Sequence, residues 1–334
     1  IWFVDTTLPF VNSIADSLIA TSITSPVNAH PASVIINFSE SVSGVDNSDF
    51  TLLRTNTDGT VSKIDISSSL TFPFFQLTPS QYELNLFSLA ATAGVYELTI
   101  NPLNSGIVDT AGNAFLTSFS ASWALDVAAP LADIVDVAPD PRQTPVDALN
   151  TIFSEKVNGV NLASAAAQYV LSFDDGTTAT AGSISDATNS GPIVVTSTGH
   201  GLANGDRITI YGVSGNTNTN GVFNVQNVVP GVSFELTGSS GSGIYTGGGR
   251  WVRTVSLAGL TVSYQTDTRY VLNLSSVTLN QGTYILSLLS DGTITDDAGN
   301  AVGPATGQFN VAAQDIWTNG PDAAPTGTIS PITT

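Results

Sequence analysis

Tyr82-Glu-Leu-Asn-Leu86, Gly94-Val-Tyr96 and Asp109-Thr-Ala-Gly-Asn113 return further along the chain as Tyr270-Val-Leu-Asn-Leu274, Gly282-Thr-Tyr284 and Asp296-Asp-Ala-Gly-Asn300. Upstream of each set lies a second matched pair. Phe38-Ser-Glu40, followed by Val42 and Gly44-Val45, recurs as Phe153-Ser-Glu155 with Val157 and Gly159-Val160. Further out, Asp5-Thr-Thr-Leu-Pro9 answers Asp126-Val-Ala-Ala-Pro130 and, near the end, Asp322-Ala-Ala-Pro325. One order of motifs occurring twice, with a third start, predicts a tandem array cut just after its third unit begins.

The segments between these motifs lack helical periodicity. Short alternating or apolar runs are bounded by Gly, Asn, Asp and Pro, which is the pattern of strands in an all-β sandwich. In the first copy the runs predict strands at 34–38, 50–53, 82–87, 95–100 and 115–125. The one helix candidate is the alanine-rich turn at 162–168.

The two copies differ in length. Phe38 maps to Phe153 but Tyr82 maps to Tyr270, so the second copy carries about 73 residues that the first lacks. They fall between Ser183 and Arg253, with strands expected at 193–196, 206–211, 222–225 and 233–236. The expected organisation is all-β: tandem sandwiches with a small β-barrel or sheet domain inserted in the second. Residues 1–4 read as the end of a preceding strand or a tail and 5–125 as the first domain. The second domain is 126–183 with 254–313, the insert is 184–253, and 314–334 is a linker and the start of a third unit or a C-terminal tail.

Composition narrows the function. The 334 residues carry 27 carboxylates against eight lysines and arginines, for a formal net charge of −19. That field repels phosphate backbones and excludes nucleic-acid binding, while it attracts divalent cations and basic partners. Only 10% of residues are charged, so Ser, Thr, Asn, Gly and small apolar groups must cover the surface, as suits a chain packed against copies of itself. Cysteine and methionine are both absent. No disulfide or thiolate site can form, and missing sulfur suits an oxidising exterior. With isoleucine rather than an initiator methionine at its start, the sequence reads as a processed or excised segment. No apolar run approaches the roughly 18 residues of a membrane-spanning helix.

In their order these motifs resemble the bacterial immunoglobulin-like repeats of large exported surface proteins, S-layer proteins and adhesins among them. The resemblance covers 5–125 and 126–313 apart from the insert. The insert, with Thr198-Gly-His-Gly-Leu202, Gly205-Asp206 and Asn220-Gly-Val222, resembles a small β module of phage structural proteins. Both resemblances imply building material rather than catalysis.

In an immunoglobulin-like sandwich the start of the first strand, the B–C loop and the F–G loop share one pole. Asp5, Glu40, Asp109 and Asn113 of the first copy are expected there. The second copy repeats the set with Asp126, Glu155, Asp296, Asp297 and Asn300. Crowded carboxylates repel, and Ca²⁺, which takes six to eight oxygen ligands, would resolve that repulsion. Turn formation and the start of a strand account for the same Asp and Asn residues without a metal.

Other candidates are fewer. His30, beside Pro31, and His200, in a Gly-His-Gly turn, lie in different modules and are read as turn or surface residues. Trp2, Trp123 and Trp317 each precede a linker Asp and are expected to pack at the end of a last strand. Trp251 stands between Arg250 and Arg253, a corner that could dock an acidic neighbour or hold an exposed pair. Asn37-Phe-Ser39 and Asn273-Leu-Ser275 satisfy the N-glycosylation triplet but fall in expected strands. No catalytic motif occurs, so no enzyme is expected. The leading function is an extracellular structural repeat protein forming a surface layer, sheath or filament by packing of its own copies. The alternative is an adhesin or phage-fibre segment whose inserted domain binds a glycan or receptor.

Overall fold

Along 94–100 the side chains alternate, Tyr96, Leu98 and Ile100 inward and fully buried, Val95 and Glu97 outward. That period of two is what a strand with one covered face requires. The computed structural model describes residues 4–17, 25–68 and 70–311. The expectations for 1–3 and 314–334, and for Trp2 and Trp317, lie outside the described residues.

The first copy contains β1 (Val11–Asp16), β2 (Ser33–Phe38), β3 (Val42–Ser43), β4 (Phe50–Thr55), β5 (Val61–Ile64), β6 (Phe74–Thr78), β7 (Gln81–Asn85), β8 (Gly94–Ile100), β9 (Val108–Asp109) and β10 (Phe119–Leu125). Two antiparallel sheets form, in the orders β1-β2-β7-β6 and β10-β8-β4-β5, with β3 paired to β9 between loops. These are the A-B-E-D and G-F-C-C′ orders of an immunoglobulin-like sandwich. Val34, Ile36, Leu84, Leu52, Leu98 and Trp123 meet in one core.

The second copy repeats the plan. Its strands are β11 (Ala132–Ile134), β12 (Ala148–Phe153), β13 (Tyr169–Asp174), β14 (Ala181–Ser183), β15 (Asp186–Ala187), β16 (Ile193–Thr196), β17 (Arg207–Ser214), β18 (Gly221–Val229), β19 (Ser233–Leu236), β20 (Gly247–Val255), β21 (Val262–Thr266), β22 (Arg269–Asn273), β23 (Gly282–Leu288) and β24 (Ala305–Val311). One sheet is β11-β12-β22-β21; the other has ten strands and runs β15-β16-β19-β18-β17-β20-β13-β23-β24, with β14 on β20. Its β24-β23-β13-β20 portion matches β10-β8-β4-β5, so β20 stands where β5 does. The extra residues therefore enter the C–C′ hairpin. In the first copy that hairpin closes through Asn56–Thr60, with the Asn56 amide bonded to the Thr60 carbonyl at 2.8 Å.

All four strands expected in the insert are present, but they do not close into a barrel; they extend the sheet of the second sandwich through β20. The boundary expected after Arg253 falls inside that strand. Ile193, Val195, Ile208, Ile210, Phe234, Leu236 and Trp251, from strands at both ends of this stretch, share one core, which requires the sheet to fold over on itself. The helix candidate at 162–168 is a single 3₁₀ turn, Ala165–Ala167. The described residues divide into two compact units. One runs to Leu131 and includes Phe153–Val160 and Ser290–Gly303; the other holds Ala132–Ile152, Asn161–Leu289 and the residues from Pro304 on.

The repeated motifs have local physical reasons. Tyr96 donates its hydroxyl to the Thr92 carbonyl at 2.7 Å and Tyr284 to that of Asn280 at 2.9 Å, the tyrosine corner that ties the E–F connection of an immunoglobulin-like domain. Gly94 and Gly282 precede them because a Cβ would sit 2.6 and 2.5 Å from the Thr55 and Asp174 carbonyls. Ser39 and Ser154 accept the backbone N–H of Phe10 and Leu131 at 3.1 and 2.9 Å, which anchors the segment after each linker proline.

His30, read as a turn or surface residue, is a half-buried loop residue with both ring nitrogens engaged. Its Nδ1 accepts the Trp123 indole N–H at 3.0 Å, its Nε2 lies 3.1 Å from the Ala90 carbonyl, and its ring stands edge-on to Tyr96 at 4.5 Å. A neutral ring protonated on Nε2 satisfies both bonds. Burial, opposed by the Ala90 bond, lowers its pKa from 6.5. The contribution of neutral His30 is therefore present above pH 6.5 and is lost as pH falls through the lowered folded value. His30→Gln keeps an acceptor that cannot protonate. Between pH 7 and 5 the parent chain should lose urea stability, with a change in tryptophan emission, relative to this variant. Parallel pH profiles would remove His30 from the account.

Candidate divalent-cation site

Asp109 is 4% exposed, yet its carboxylate is well supplied with donors. Oδ1 accepts the backbone N–H groups of Ala111 and Asn113, each at 2.8 Å, and Oδ2 accepts Asn113 Nδ2 at 2.7 Å. The second copy reproduces this arrangement. Asp296, also 4% exposed, takes Ala298 and Asn300 N–H groups at 2.8 and 2.9 Å and Asn300 Nδ2 at 2.9 Å. The Asp-x-Ala-Gly-Asn loop is thus a turn wound around its own first carboxylate, with Gly112 and Gly299 at φ +91° and +93°. Those values lie in the left-handed region that glycine adopts without strain.

The asparagines have a second task. Asn113 Nδ2 also donates to the Asp5 carbonyl at 3.1 Å, and Asn300 Nδ2 to the Asp126 carbonyl at 2.9 Å. Each therefore fastens the segment before the first strand to the F–G loop. Glu40 and Glu155 arrive from the B–C loop, where Gly44 and Gly159, at φ +87° and +82°, pass so close to the Gly106 and Thr293 carbonyls that a Cβ would collide.

Three carboxylates meet at each pole as a result. One ligand oxygen from each of Asp5, Glu40 and Asp109 can be chosen so that all lie within 4.8 Å of one another, and Asp126, Glu155 and Asp296 do the same. With Ca²⁺–oxygen distances near 2.4 Å, opposed ligands stand about 5 Å apart, so the spacing admits one cation at the centre. Asn113 and Asn300 present their amide nitrogens to the aspartates and position them. Asp297 is not brought in: it pairs with Lys156 at 2.9 Å and accepts Asn158 Nδ2 at 2.8 Å. Hydrogen bonds from Asn158 and then Lys156 lower its pKa. Both members of that ion pair are about half exposed, so it contributes little.

The electrostatics of the triads follow from this geometry. Burial first, then Asp109 and Asp5, raises the pKa of Glu40; burial, then Asp126 and Asp296, raises that of Glu155. Burial also pushes Asp109 upward, but its bonds from Asn113, Ala111 and Gly112 outweigh that and leave it lowered. Each pole therefore holds one aspartate wrapped in donors beside a glutamate that keeps its proton to higher pH. A bound divalent cation would displace that proton.

The remaining candidates are structural. Arg250 donates to Asp174 from Nε and Nη2 at 2.8 and 2.6 Å; Arg253 meets Asp206 at 2.8 Å and the Ala179 and Gly201 carbonyls at 2.8 and 2.6 Å. The expected docking corner is thus closed by internal partners. Trp251 between them is fully buried and donates to Ser197 Oγ at 2.8 Å; no sugar can stack on it. His200, read as a turn or surface residue, directly follows the turn at 198–199 but is 5% exposed, edge-on to Phe234, and bonded to Leu202 N–H and the Val229 carbonyl. A cleft of about 370 Å³ lies beside it, lined by Thr178, Ser183, Ser185, Thr198 and Trp251. No helix among the described residues is long and apolar enough to cross a membrane.

No family model and no curated protein matches the chain. Among solved structures it is similar to native alpha-2-macroglobulin from Escherichia coli spanning domains MG0-NIE-MG1, at 10% identity over 92% of this chain and 72% of that one, with a TM-score of 0.25. It is also similar to a chimeric titin Z1Z2 bearing a peptide from decorin, at 9% identity over 92% and 97%, with a TM-score of 0.22. Alignments at that level carry no argument. The immunoglobulin-like assignment rests on the strand order and the two tyrosine corners. Neither match bears on the phage-module resemblance of the insert.

Proposed function

We propose that the chain is a segment of an extracellular structural array, a surface layer, sheath or filament built by packing of copies, in which Ca²⁺ stiffens the entry to each sandwich. One observation carries this reading. Two copies that differ by a whole insert keep the same three carboxylates, the same asparagine clamp and the same close-passing glycine. Neither triad has an ion pair with a lysine or arginine among the described residues. Turn formation alone needs only Asp109 or Asp296. It does not account for Glu40 and Glu155, which are held beside two like charges. The lack of cysteine and methionine and the low charge content of the surface support placement outside the cell.

Thermal unfolding with calcium and with chelator tests the metal. A site that binds only the folded chain stabilises it by about 2.7 kcal/mol at a free calcium concentration 100 times its dissociation constant, so the midpoint should climb with calcium and fall back with chelator. An unchanged midpoint would remove the metal from the account. Light scattering in the same buffers tests assembly, and a chain that stays monomeric at all calcium concentrations would count against packing of copies.

A further inference from the structure

We propose that Asn273 is an acceptor for N-linked oligosaccharide in the folded chain and that Asn37, the other residue in the required triplet, is not. Both triplets fall in strands when read from sequence, which argues against either. The structure separates them. Asn37 lies within β2, half-buried, with both ends of its amide engaged: Nδ2 donates to Ser13 Oγ at 3.0 Å and Oδ1 accepts Gln81 Nε2 at 2.8 Å. Its neighbour in the triplet, Ser39, is occupied by the Phe10 N–H. Modification there would break the β1-β2-β7 face apart.

Asn273 is the last residue of β22 and is exposed. Arg269 and Asn273 point to solvent while Tyr270 and Leu272 point to the core, so the period of two puts Asn273 outside. Opposite it in the ladder stands Ala148, small and also exposed, which leaves room for a bulky group. Beyond Asn273 the chain turns: Oδ1 accepts the Ser275 N–H at 3.1 Å and the Ser275 hydroxyl at 2.9 Å. Those two hydrogen bonds to one oxygen hold the amide plane and direct Nδ2 away from the turn. Nδ2 has no partner among the described residues. The triplet is thus presented as a turn with its hydroxyl at the amide and its nitrogen open. In the first copy the same position is Asn85, which accepts the Phe87 N–H at 2.9 Å; with phenylalanine two residues on, the hydroxyl is missing.

The chemistry requires a polyprenyl-phosphate- or pyrophosphate-linked oligosaccharide and a transferase. Asn273 Nδ2 attacks the anomeric carbon and the N–C bond forms. The bond from that carbon to the carrier oxygen breaks, and the carrier leaves with the electron pair as its phosphate or pyrophosphate. One proton passes from Nδ2 to a transferase base. The product is a neutral N-glycosyl amide on a surface loop. The proposal shares with the reading above only its extracytoplasmic placement.

The test is independent of calcium and of assembly. Purified, unmodified full chain is incubated with a single-subunit oligosaccharyltransferase that accepts Asn-x-Ser/Thr and with lipid-linked oligosaccharide, alongside synthetic peptides covering 33–41 and 269–277, and sites are read by mass spectrometry. Both peptides should be modified, and the folded chain should gain one glycan, on Asn273. Asn273→Gln and Ser275→Ala should lose it, Ser275→Thr should retain it, and Asn37→Gln should change nothing. A folded chain that stays unmodified at Asn273 while its peptide reacts, or that is modified at Asn37, would overturn the proposal; so would a 269–277 peptide that is refused while 33–41 is accepted.

Discussion

Alanine in place of Asp296 should lower the unfolding free energy by about 3 kcal/mol in chelator-treated buffer, and alanine in place of Asp109 should destabilise the first copy in the same direction. Each carboxylate receives two backbone N–H groups and one side-chain amide. Charge-assisted bonds contribute about 1.5–3 kcal/mol each, but relief of repulsion from the neighbouring carboxylates and entry of water offset part of the loss. Asparagine, which keeps one acceptor oxygen, should lose less. The partner glutamates should behave in the opposite sense. Because burial and two like charges raise the pKa of Glu155 from 4.5, its contribution is present below pH 4.5 and lost as pH rises through the folded value. Glu155→Gln should therefore leave the metal-free chain unchanged or stabilise it at neutral pH, and should abolish the calcium-dependent gain of the second pole while leaving that of the first. Urea unfolding of these single variants with calcium and with chelator checks the whole set. If Glu155→Gln destabilises equally in both buffers, the triad is a turn and not a metal site.

Trp251→Ala should cost about 3–5 kcal/mol. Trp251 is fully buried; Phe234 stands edge-on with ring centroids 6.4 Å apart, and its indole N–H has its partner in Ser197. Gly182 lies flat against the ring, where a Cβ would meet Nε1 at 2.6 Å and the neighbouring carbon at 2.8 Å. Gly182→Ala should thus be destabilising as well, although it adds only a methyl group. The strand that carries Trp251 makes the consequence larger than a loop insertion suggests. β20 pairs with β17 of the insert, with β14 at the insert's entry and, through Thr254 and Val255, with Ser172 and Leu171 of the sandwich. Calorimetry of the variant should show the transition containing β13 and β23 shifted down together with the insert. A separate low-temperature transition, with the sandwich unmoved, would show that the insert folds alone.

Much of this was open to a reader of the sequence, and the reason is repetition. Phe38-Ser-Glu40, Gly44, Gly94-Val-Tyr96 and Asp109 to Asn113 each carry a local constraint: a clamp on the first strand, a close passage, a corner, a self-capped turn. Local constraints survive duplication in place, so the second copy marked which residues matter. The triads were legible for the same reason. Asp297 was misjudged because neighbouring residues face opposite ways: Asp296 turns in and Asp297 turns out to Lys156. The flanks of the two histidines, Pro31 and two glycines, marked their loops, but the groups they pack against, Trp123 with Tyr96 and Phe234, lie far along the chain and left the burial of His200 illegible.

From its residues alone the chain determines a doubled all-β sandwich, the place and strands of an insert, and two acidic poles. Periodicity and turn chemistry act over a few residues and are written where they act. The tertiary structure decided the rest. It made β20 a strand of both sandwich and insert, paired Arg250 with Asp174 and Arg253 with Asp206, buried Trp251, and left Asn273 rather than Asn37 open to solvent. Each of these depends on which strand edge meets which across tens of residues, and hydrogen-bonded edges are interchangeable until packing selects among them.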